Sequence, residues 1–420
     1  MRPVLDPVIP EFVKKYQIVD GFHEIEEIMK SPDFTQGGQP ERETFLRGTL
    51  IYLEGNEHRD TKNLLSPLMS RDSLAYYELH LLDPVITETL ANLRHERDED
   101  GLVRTDLVPL LRIMLRQISA RVTGADGVDT PERIERFGAL AAKVGAASSG
   151  QFATDRPQVI AEGKEALLML IDEFLQASLD RRKQLVDELN AGKISKETLP
   201  RDMLMTLCLA NDLTRPDDAD AEIPYVWRQC TLFLNASMQT TSHMLPHVFV
   251  HLDEWIAEHP DDKPKLRESE FLRKAVGESM RLHQTSPVRF RIADRDVTLS
   301  TGRKVKAGEM LALYAPPANL ETSVFGPDAR YFNPYREVPQ GQMPWGMTFG
   351  SGIHMCLGRN LVTGIRGKSD SKFGNDGTAL KIVKTLYAYG CELDPENPPK
   401  RWTASYHDAY ESVPVILRDL

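Results

Sequence analysis

The stretch FGSGIHMCLGR at residues 349–359 decides the interpretation of this chain. Three glycines surround Cys356, which comes just before a predicted helix start. Glycine permits tight turns with positive φ and lets backbone amides approach a ligand closely. A thiolate at such a turn, near the N–H groups of a helix N-terminus, is stabilised as an anion and can ligate a metal. From these residues alone, an inert buried cysteine in a glycine-rich turn remains an alternative.

The spacing of this stretch is long and specific. It follows the pattern Phe-x-x-Gly-x-His-x-Cys-x-Gly at Phe349, Gly352, His354, Cys356 and Gly358. In this it resembles the cytochromes P450, the haem-thiolate monooxygenases. The resemblance implies that Cys356 is the proximal iron ligand of a b-type haem (iron protoporphyrin IX), donating electrons that favour O–O cleavage. It also implies that His354 bonds a haem propionate, with a solvated loop histidine as the alternative.

A second match to the family is Glu278-x-x-Arg281, about 75 residues before the cysteine. Residues three apart on a helix share a face, so this carboxylate and guanidinium can pair and bind a third partner. The resemblance gives that third place to Arg330, in the stretch PDARY at 327–331. We interpret the trio as a structural lock for the cysteine loop and not as catalytic machinery.

Haem propionates need cationic partners when they are buried. By resemblance, Arg291 takes this role at the start of the β-rich segment, and the neighbouring Arg289 takes it if the register slips. His58 and Lys62, four residues apart, resemble the family's His-x-x-x-Arg. The lysine ammonium is a point charge, whereas the guanidinium of the family's arginine can make two parallel hydrogen bonds to a carboxylate. An exposed helix pair remains the alternative for Lys62.

The oxygen side of the site is expected on a long helix, in the stretch LNASMQTT at 234–241. It resembles the family's Ala-Gly-x-(Asp/Glu)-Thr, in which a widened turn holds O2. Thr240 fits the family's threonine, but Ser237 replaces the glycine and Gln239 replaces the acid. An amide can hold a water molecule but cannot exchange a proton near neutral pH. The alternative for Thr240 is structural hydroxyl bonding within the helix.

Hydrophobic periodicity predicts the fold class. Apolar residues recur three and four apart over most of the first two thirds of the chain, which indicates helices. After residue 286, β-branched and polar residues alternate between glycines, which indicates short strands. We therefore predict a mainly α protein with a smaller β-rich region, and the family resemblance implies a cytochrome P450-like fold. The length favours two lobes or one large domain with a satellite, and the family resemblance favours a single domain over 1–420. The predicted elements are helices at 74–93, 107–122, 159–189 and 378–389, a longer helix at 225–258 bent at Pro246, β-rich segments near 287–315 and 390–420 including a strand at 413–417, and loops at 35–39 and 364–377.

Composition excludes several classes of protein. The chain has 420 residues, with 51 Lys and Arg against 62 Asp and Glu, giving a formal charge of −11. This balance, without a basic tract, argues against a nucleic-acid partner. No apolar run approaches the ~18–20 residues that span a bilayer, and the first residues lack the apolar core of a secretory signal. Four scattered cysteines without a C-x-x-C pair favour reduced thiols. We therefore expect a cytoplasmic protein.

The resemblance implies monooxygenation of an apolar small molecule with O2, by hydroxylation, epoxidation or dealkylation. No G-x-G-x-x-G stretch precedes a helix, so we expect electrons from a separate ferredoxin or flavodoxin with its reductase. Arg359, Arg366 and Lys368 form a candidate docking patch, with solvated surface charge as the alternative. Three rival functions stay open. Gln239 leaves room for a peroxygenase or an oxygen-independent enzyme on this fold, a haem-based sensor is a rival from another class, and a helical binding protein without haem is the third.

Overall fold

The computed structural model describes residues 2–5, 8–37, 44–150, 153, 155–367, 374–403 and 407–420. The chain forms two compact units. Unit 1 contains Met1–Gly37, Glu78–Leu111 and Thr240–Leu420, and unit 2 contains Gly38–Tyr77 and Arg112–Gln239.

Helices make up most of the described chain, which confirms the predicted fold class. Two single turns of π-helix, Glu78–Leu82 and Ile171–Leu175, join consecutive α-helices end to end. The α-helices are α1 (Phe22–Lys30), α2 (Gly55–Leu65), α3 (Arg71–Tyr77), α4 (Asp83–Leu93), α5 (Leu107–Thr123), α6 (Pro131–Ser148), α7 (Arg156–Leu170), α8 (Gln176–Asn190), α9 (Met203–Ala210), α10 (Tyr225–Glu258), α11 (Ser269–Leu282), α12 (Ala315–Ala318), α13 (Thr322–Phe325), α14 (Arg359–Thr363) and α15 (Gly377–Ala388).

The predicted helical stretches are confirmed, with details that periodicity does not show. The stretch 159–189 is α7, a π-turn and α8 in continuous succession. Helix α10 continues through Pro246, although proline removes one backbone donor there. Among the described residues, no helix is long and apolar enough to cross a membrane.

Strands are concentrated in unit 1. A four-stranded sheet has the order β1-β7-β4-β2, and a three-stranded sheet has the order β3-β11-β8. Strand β7 pairs in parallel with β1 and antiparallel with β4. The strands are β1 (Gln17–Val19), β2 (Phe34–Gln36), β3 (Val103–Asp106), β4 (Val288–Ala293), β5 (Val297–Thr298), β6 (Lys304–Val305), β7 (Met310–Tyr314), β8 (Cys391–Leu393), β9 (Lys400–Arg401), β10 (Tyr410–Ser412) and β11 (Pro414–Leu417).

The prediction of a loop at 35–39 is partly wrong, because β2 covers Phe34–Gln36. This strand pairs antiparallel with β4, and Gln36 lies opposite Arg291. The pairing partner is more than 250 residues away in sequence, so local composition gave no sign of it. Residues 38–39 lie outside the described residues.

The predicted loop at 364–377 separates α14 from α15. An antiparallel β-bridge between Ile365 and Asn375 joins the two ends of this loop. The two glycines at its ends have positive φ, and a Cβ on Gly364 would lie 2.1 Å from the Asn375 carbonyl oxygen. There is therefore no room for a side chain at position 364. Residues 368–373 lie outside the described residues.

Candidate active site

The cysteine loop folds back on itself through its backbone. The Cys356 N–H donates to the Phe349 carbonyl at 2.9 Å. Gly350 and Gly352 have φ of +71° and +69°, a region that L side chains rarely adopt. A Cβ on Gly352 would also lie 2.1 Å from the Met29 carbonyl oxygen at the end of α1. Glycine is thus required at 352 both by conformation and by space.

Cys356 combines an exposed position with a desolvated thiol. The residue is exposed, yet desolvation by the surrounding protein is the largest influence on its pKa, which is raised. Backbone N–H groups of Gly358 and Arg359 donate to the sulfur, and the positive charge of Arg289 also favours the thiolate. An exposed cysteine with N–H donors and a cation that favour its thiolate fits a sulfur that ligates a metal cofactor. Gly358 leaves room beside it, since a Cβ there would lie 4.0 Å from Sγ.

Arg289 lies beside this loop and has unused hydrogen-bonding capacity. Its Nη2 donates to the Thr348 carbonyl at 2.7 Å, while Nη1 is buried without a hydrogen-bond partner among the described residues. Burial lowers the pKa of Arg289 to about 10, against the opposing influence of Cys356. A buried guanidinium with an unsatisfied N–H group is costly unless an anion completes it. The residues present therefore fit a cofactor that brings a carboxylate to this point.

Arg291 lies two residues further along β4, on the same face of the strand, because side chains alternate along a strand. Its guanidinium donates to the Gln36 side chain and, at 2.9 Å, to the Phe290 carbonyl. The structure thus brings Arg289, the alternative in the sequence analysis, to the cysteine loop. The local sequence could not distinguish the two arginines, since both face the same side.

The predicted lock is present, with one correction. Arg281 makes a bidentate pair with Glu278 at 2.7 and 2.9 Å. The third member is Arg336, whose Nε donates to Glu278 Oε1 at 2.9 Å. The side chains of all three are at most 5% exposed. Arg330, predicted for this place, has its backbone carbonyl bonded by the Val4 N–H at 2.8 Å.

Asn319 connects the lock to the segment that leads into the cysteine loop, and the sequence analysis missed it. Its Nδ2 donates to the Arg281 carbonyl at 2.9 Å, and its Oδ1 accepts from the Met347 N–H at 2.8 Å. Arg281 returns a bond to the Asn319 carbonyl. This fully buried asparagine holds the chain just before residue 349. A lone asparagine in an irregular segment carries no local signal of such a role.

The oxygen-side stretch remains α-helical from 234 to 241. Ser237 donates its hydroxyl to the Phe233 carbonyl at 2.6 Å. In unit 2, the Gln239 amide lies against α6, since a Cβ on Gly145 would be 2.6 Å from Gln239 Nε2. Thr240 is half-buried and follows directly on the same helix.

His58 and Lys62 lie one turn apart on α2 in unit 2. His58 is buried and Lys62 is half-buried. His354 is half-buried in unit 1, between Gly352 and Cys356, and the ring of Phe349 packs edge-on against Trp345 at 5.5 Å. Each unit therefore carries part of the predicted set.

A model of the cytochrome P450 family matches residues 14–363. A cytochrome P450 of Bacillus subtilis (strain 168) named YjiB is 30% identical over 197 residues, 46% of each chain. The bifunctional cytochrome P450/NADPH–P450 reductase 2 of the same organism is 24% identical over 236 residues, 50% of this chain and 22% of that one. The matches thus span about half, or less, of these relatives' own length.

Solved structures share the fold. P450BioI in complex with an acyl carrier protein ligated to hexadec-9Z-enoic acid has a TM-score of 0.68 and 18% identity, covering 94% of this chain and 91% of that one. CYP109E1 from Bacillus megaterium in complex with testosterone has a TM-score of 0.67 and 18% identity, covering 96% and 94%. At these identities the likeness shows the fold alone. With the family match over most of the chain, these findings confirm the resemblance of the cysteine loop: the chain belongs to the cytochrome P450 family, whose members are monooxygenases that bind haem b through a cysteine thiolate.

Proposed function

We propose that this protein inserts one oxygen atom from O2 into an apolar small organic molecule, by hydroxylation, epoxidation or dealkylation. The observation that carries the proposal is the exposed Cys356 in a glycine-rich loop beside Arg289, whose guanidinium Nη1 has no hydrogen-bond partner among the described residues. Haem b held by a cysteine thiolate supplies the activation of O2. The chain's own residues then have to bind the cofactor's carboxylates, exclude water and deliver protons.

The cofactor-binding set comprises Cys356 as the iron ligand and several propionate partners. Arg289 is the best supported of these, because its buried Nη1 has no hydrogen-bond partner among the described residues. A carboxylate at that point would form a charge-assisted hydrogen bond. Arg291, His354, His58 and Lys62 keep the roles that the resemblance implies. Phe349, Gly352 and Gly358 shape the loop around the sulfur.

On the oxygen side, Thr240 is the group that can hold and pass a proton through its hydroxyl. Gln239 occupies the place of the family's acid, and its amide can orient a water molecule without exchanging a proton near neutral pH. This is also the observation that favours a second candidate function. A peroxygenase, which takes its oxygen already reduced as peroxide, needs no such proton delivery.

Electrons come from a ferredoxin or flavodoxin with its reductase. Arg359 and Arg366 are the described members of the candidate basic patch, and Lys368 lies outside the described residues. Arg366 pairs with Glu270 at 2.9 Å, and both side chains are exposed, so the pair can open to an acidic partner at little cost. We further propose that the chain works as one domain over 1–420 in the cytoplasm. The buried free thiols of Cys208, Cys230 and Cys391 suit a reducing compartment.

The test is the ferrous–CO difference spectrum of the purified protein beside two variants. We expect the strongly red-shifted Soret band of a thiolate ligand in the wild type and in Cys391→Ala, a control that removes a buried free cysteine. Cys356→Ala should lose this band. Retention of the band in Cys356→Ala, or its absence from the wild type, would refute the proposal.

Two further measurements separate the rival functions. Product formation is compared with peroxide alone and with NAD(P)H plus ferredoxin or flavodoxin and reductase. Turnover restricted to peroxide would replace the monooxygenase by the peroxygenase. Apolar ligands should also produce a spin-state shift, and a protein that shows none while it binds CO would favour the haem-based sensor.

A further inference from the structure

A cluster of histidines in unit 1 is not used by the proposed function. His247 and His251 lie one turn apart on α10, and His283 follows the end of α11. Asp408 completes the cluster just before β10. One ligand atom from each of His247, His283 and Asp408 lies within 4.8 Å of the other two. Two imidazoles and a carboxylate are the donor types that Zn²⁺ takes in sites with three protein ligands and one open position.

Both histidine rings of this trio present a nitrogen to the same residue. His283 Nδ1 bonds to Asp408 Oδ2. His247 Nε2 lies 3.9 Å from Asp408 Oδ1 and 3.0 Å from the Asp408 carbonyl oxygen. The two rings stack with 3.8 Å between their centroids. A cation on the side of Asp408 would lie among one ligand atom of each of the three residues.

His247 Nε2 is the nitrogen that faces Asp408, and the second ring nitrogen of His247, Nδ1, is unsatisfied among the described residues. His247 is 1% exposed. Leaving a buried polar atom without a partner is costly. Neutral imidazole is the form that ligates metals.

The surroundings support His283 as a ligand. Its Nε2 lies 3.1 Å from His251 Nε2, and His251 Nδ1 lies 3.1 Å from the Ser279 hydroxyl. Metal-bound histidines in proteins are held by such a hydrogen bond on the second nitrogen. When the metal takes Nδ1 of His283, the ring proton of His283 sits on Nε2 and is donated to His251 Nε2. The proton of His251 is then on its Nδ1, where the Ser279 hydroxyl accepts it.

Asp408 provides both charge and access. Its side chain is 44% exposed, whereas His247 and His283 are buried. Arg401 donates to Asp408 Oδ1 at 2.7 Å, which leaves Oδ2 as the ligand atom. In the metal-free chain the His283 Nδ1 proton occupies that position. We infer that His247, His283 and Asp408 bind a Zn²⁺ ion, and that the displaced ring protons move to the second nitrogen of each histidine, Nδ1 of His247 and Nε2 of His283.

The experiment uses full-length, haem-loaded protein without a polyhistidine tag. Haem loading matters because the exposed Cys356 thiol would itself bind Zn²⁺ in the empty protein. Zn²⁺ is titrated calorimetrically after treatment with a chelator, and the bound metal is counted by elemental analysis. We expect one Zn²⁺ per chain in addition to the haem iron.

Three variants locate the site. Asp408→Asn and His283→Gln should each weaken Zn²⁺ binding at least about tenfold. His259→Gln is the matched control, because His259 stacks on Trp255 at 3.8 Å outside the cluster and should bind Zn²⁺ like the wild type. Circular dichroism checks that each variant folds. Should both cluster variants fail to fold, Zn²⁺ must still raise the melting temperature of the wild type and of His259→Gln.

Two outcomes would overturn the inference. The first is a wild type that binds no Zn²⁺ and shows no Zn²⁺-dependent melting temperature, which would make the cluster a hydrogen-bonded network only. The second is undiminished binding in folded Asp408→Asn, which would place any Zn²⁺ elsewhere. Neither outcome depends on turnover, so the inference stands or falls separately from the proposed monooxygenase.

Discussion

Replacing Arg336 by methionine tests the corrected lock. Methionine keeps much of the side-chain length and apolar volume but removes every donor. In the structure the Arg336 guanidinium donates to Glu278 Oε1 at 2.9 Å, to Asp328 Oδ1 at 2.6 Å and to the Tyr331 carbonyl at 3.0 Å. The side chain is 5% exposed, so water cannot easily replace these bonds.

The expected cost follows from these contacts. Breaking a buried ion pair by removing one partner costs about 3–5 kcal/mol. Glu278 keeps its bidentate bond to Arg281, which limits the loss at the carboxylate. The carbonyl groups that lose a donor add about 1 kcal/mol or more each where water cannot reach them. We therefore expect Arg336→Met to lose about 3–5 kcal/mol of unfolding free energy, a large share of the ~5–15 kcal/mol typical of a domain.

The assay is urea unfolding followed by circular dichroism, with haem retention measured in the same samples. Arg366→Met is the matched control, because its pair with Glu270 is exposed on both sides and should cost less than about 1 kcal/mol. Arg330→Met gives the loss of stability at the position that the family resemblance predicts for the lock, for comparison with Arg336→Met. Equal losses for Arg336→Met and Arg366→Met, or a larger loss for Arg330→Met, would refute our assignment of the lock.

Three further predictions concern the loop, acid stability and proton supply. Gly352→Ala should lose haem and more than about 1 kcal/mol of stability. The control Gly308→Ala also has a positive φ, +81°, but no atom lies within 4 Å of its new Cβ, so this variant should keep its haem. Equal haem loss in both variants, measured by absorbance, would show that the close contact of Gly352 is irrelevant. The Arg303 hydrogen bond lowers the pKa of Glu24 from 4.5. As the pH falls, the Glu24 carboxylate therefore becomes protonated in the unfolded chain before it does in the folded chain. The stabilisation present above about pH 4.5 is lost as the pH falls further. Glu24→Gln should flatten that part of the stability profile in urea unfolding at several pH values, and an unchanged profile would contradict it. Gln239→Glu restores a titratable group, so it should raise NAD(P)H-driven product formation about tenfold or more. Peroxide-driven product formation should stay unchanged. If the ratio of NAD(P)H-driven to peroxide-driven product formation is the same in the variant and the wild type, Gln239 is not part of the proton path.

The cysteine loop could be predicted from sequence because its determinants are local. Its glycines, its cysteine and the following helix lie within eleven consecutive residues, and their spacing already specifies the turn. The helices were predictable for the same reason, since a 3.6-residue repeat is a local property. The π-turns at 78–82 and 171–175 lie inside these helical stretches, and hydrophobic periodicity did not predict them.

The remaining features depend on long-range pairing. Two Pro-containing stretches with an arginine occur at 327–330 and 334–336, and only the folded chain shows that Arg336 reaches Glu278. The choice between Arg289 and Arg291 depends on where the strand passes the loop, which the sequence of β4 alone does not contain. The histidine cluster did leave a visible trace, because His243, His247 and His251 recur every four residues along α10. Its partners His283 and Asp408 come from distant segments.

The parallel pairing of β1 with β7 has a consequence for biosynthesis. Strand β1 must remain unpaired until Leu311–Leu313 has been made, about 290 residues later. At about 5–20 residues per second, synthesis of that interval takes roughly 15–60 s. During that time the apolar side chains of β1 and α1 have no sheet to cover them, which exposes the nascent chain to aggregation. We expect unit 1 to close late, after most of the chain has left the ribosome, and chaperone binding to the N-terminal segment to govern the yield of folded protein.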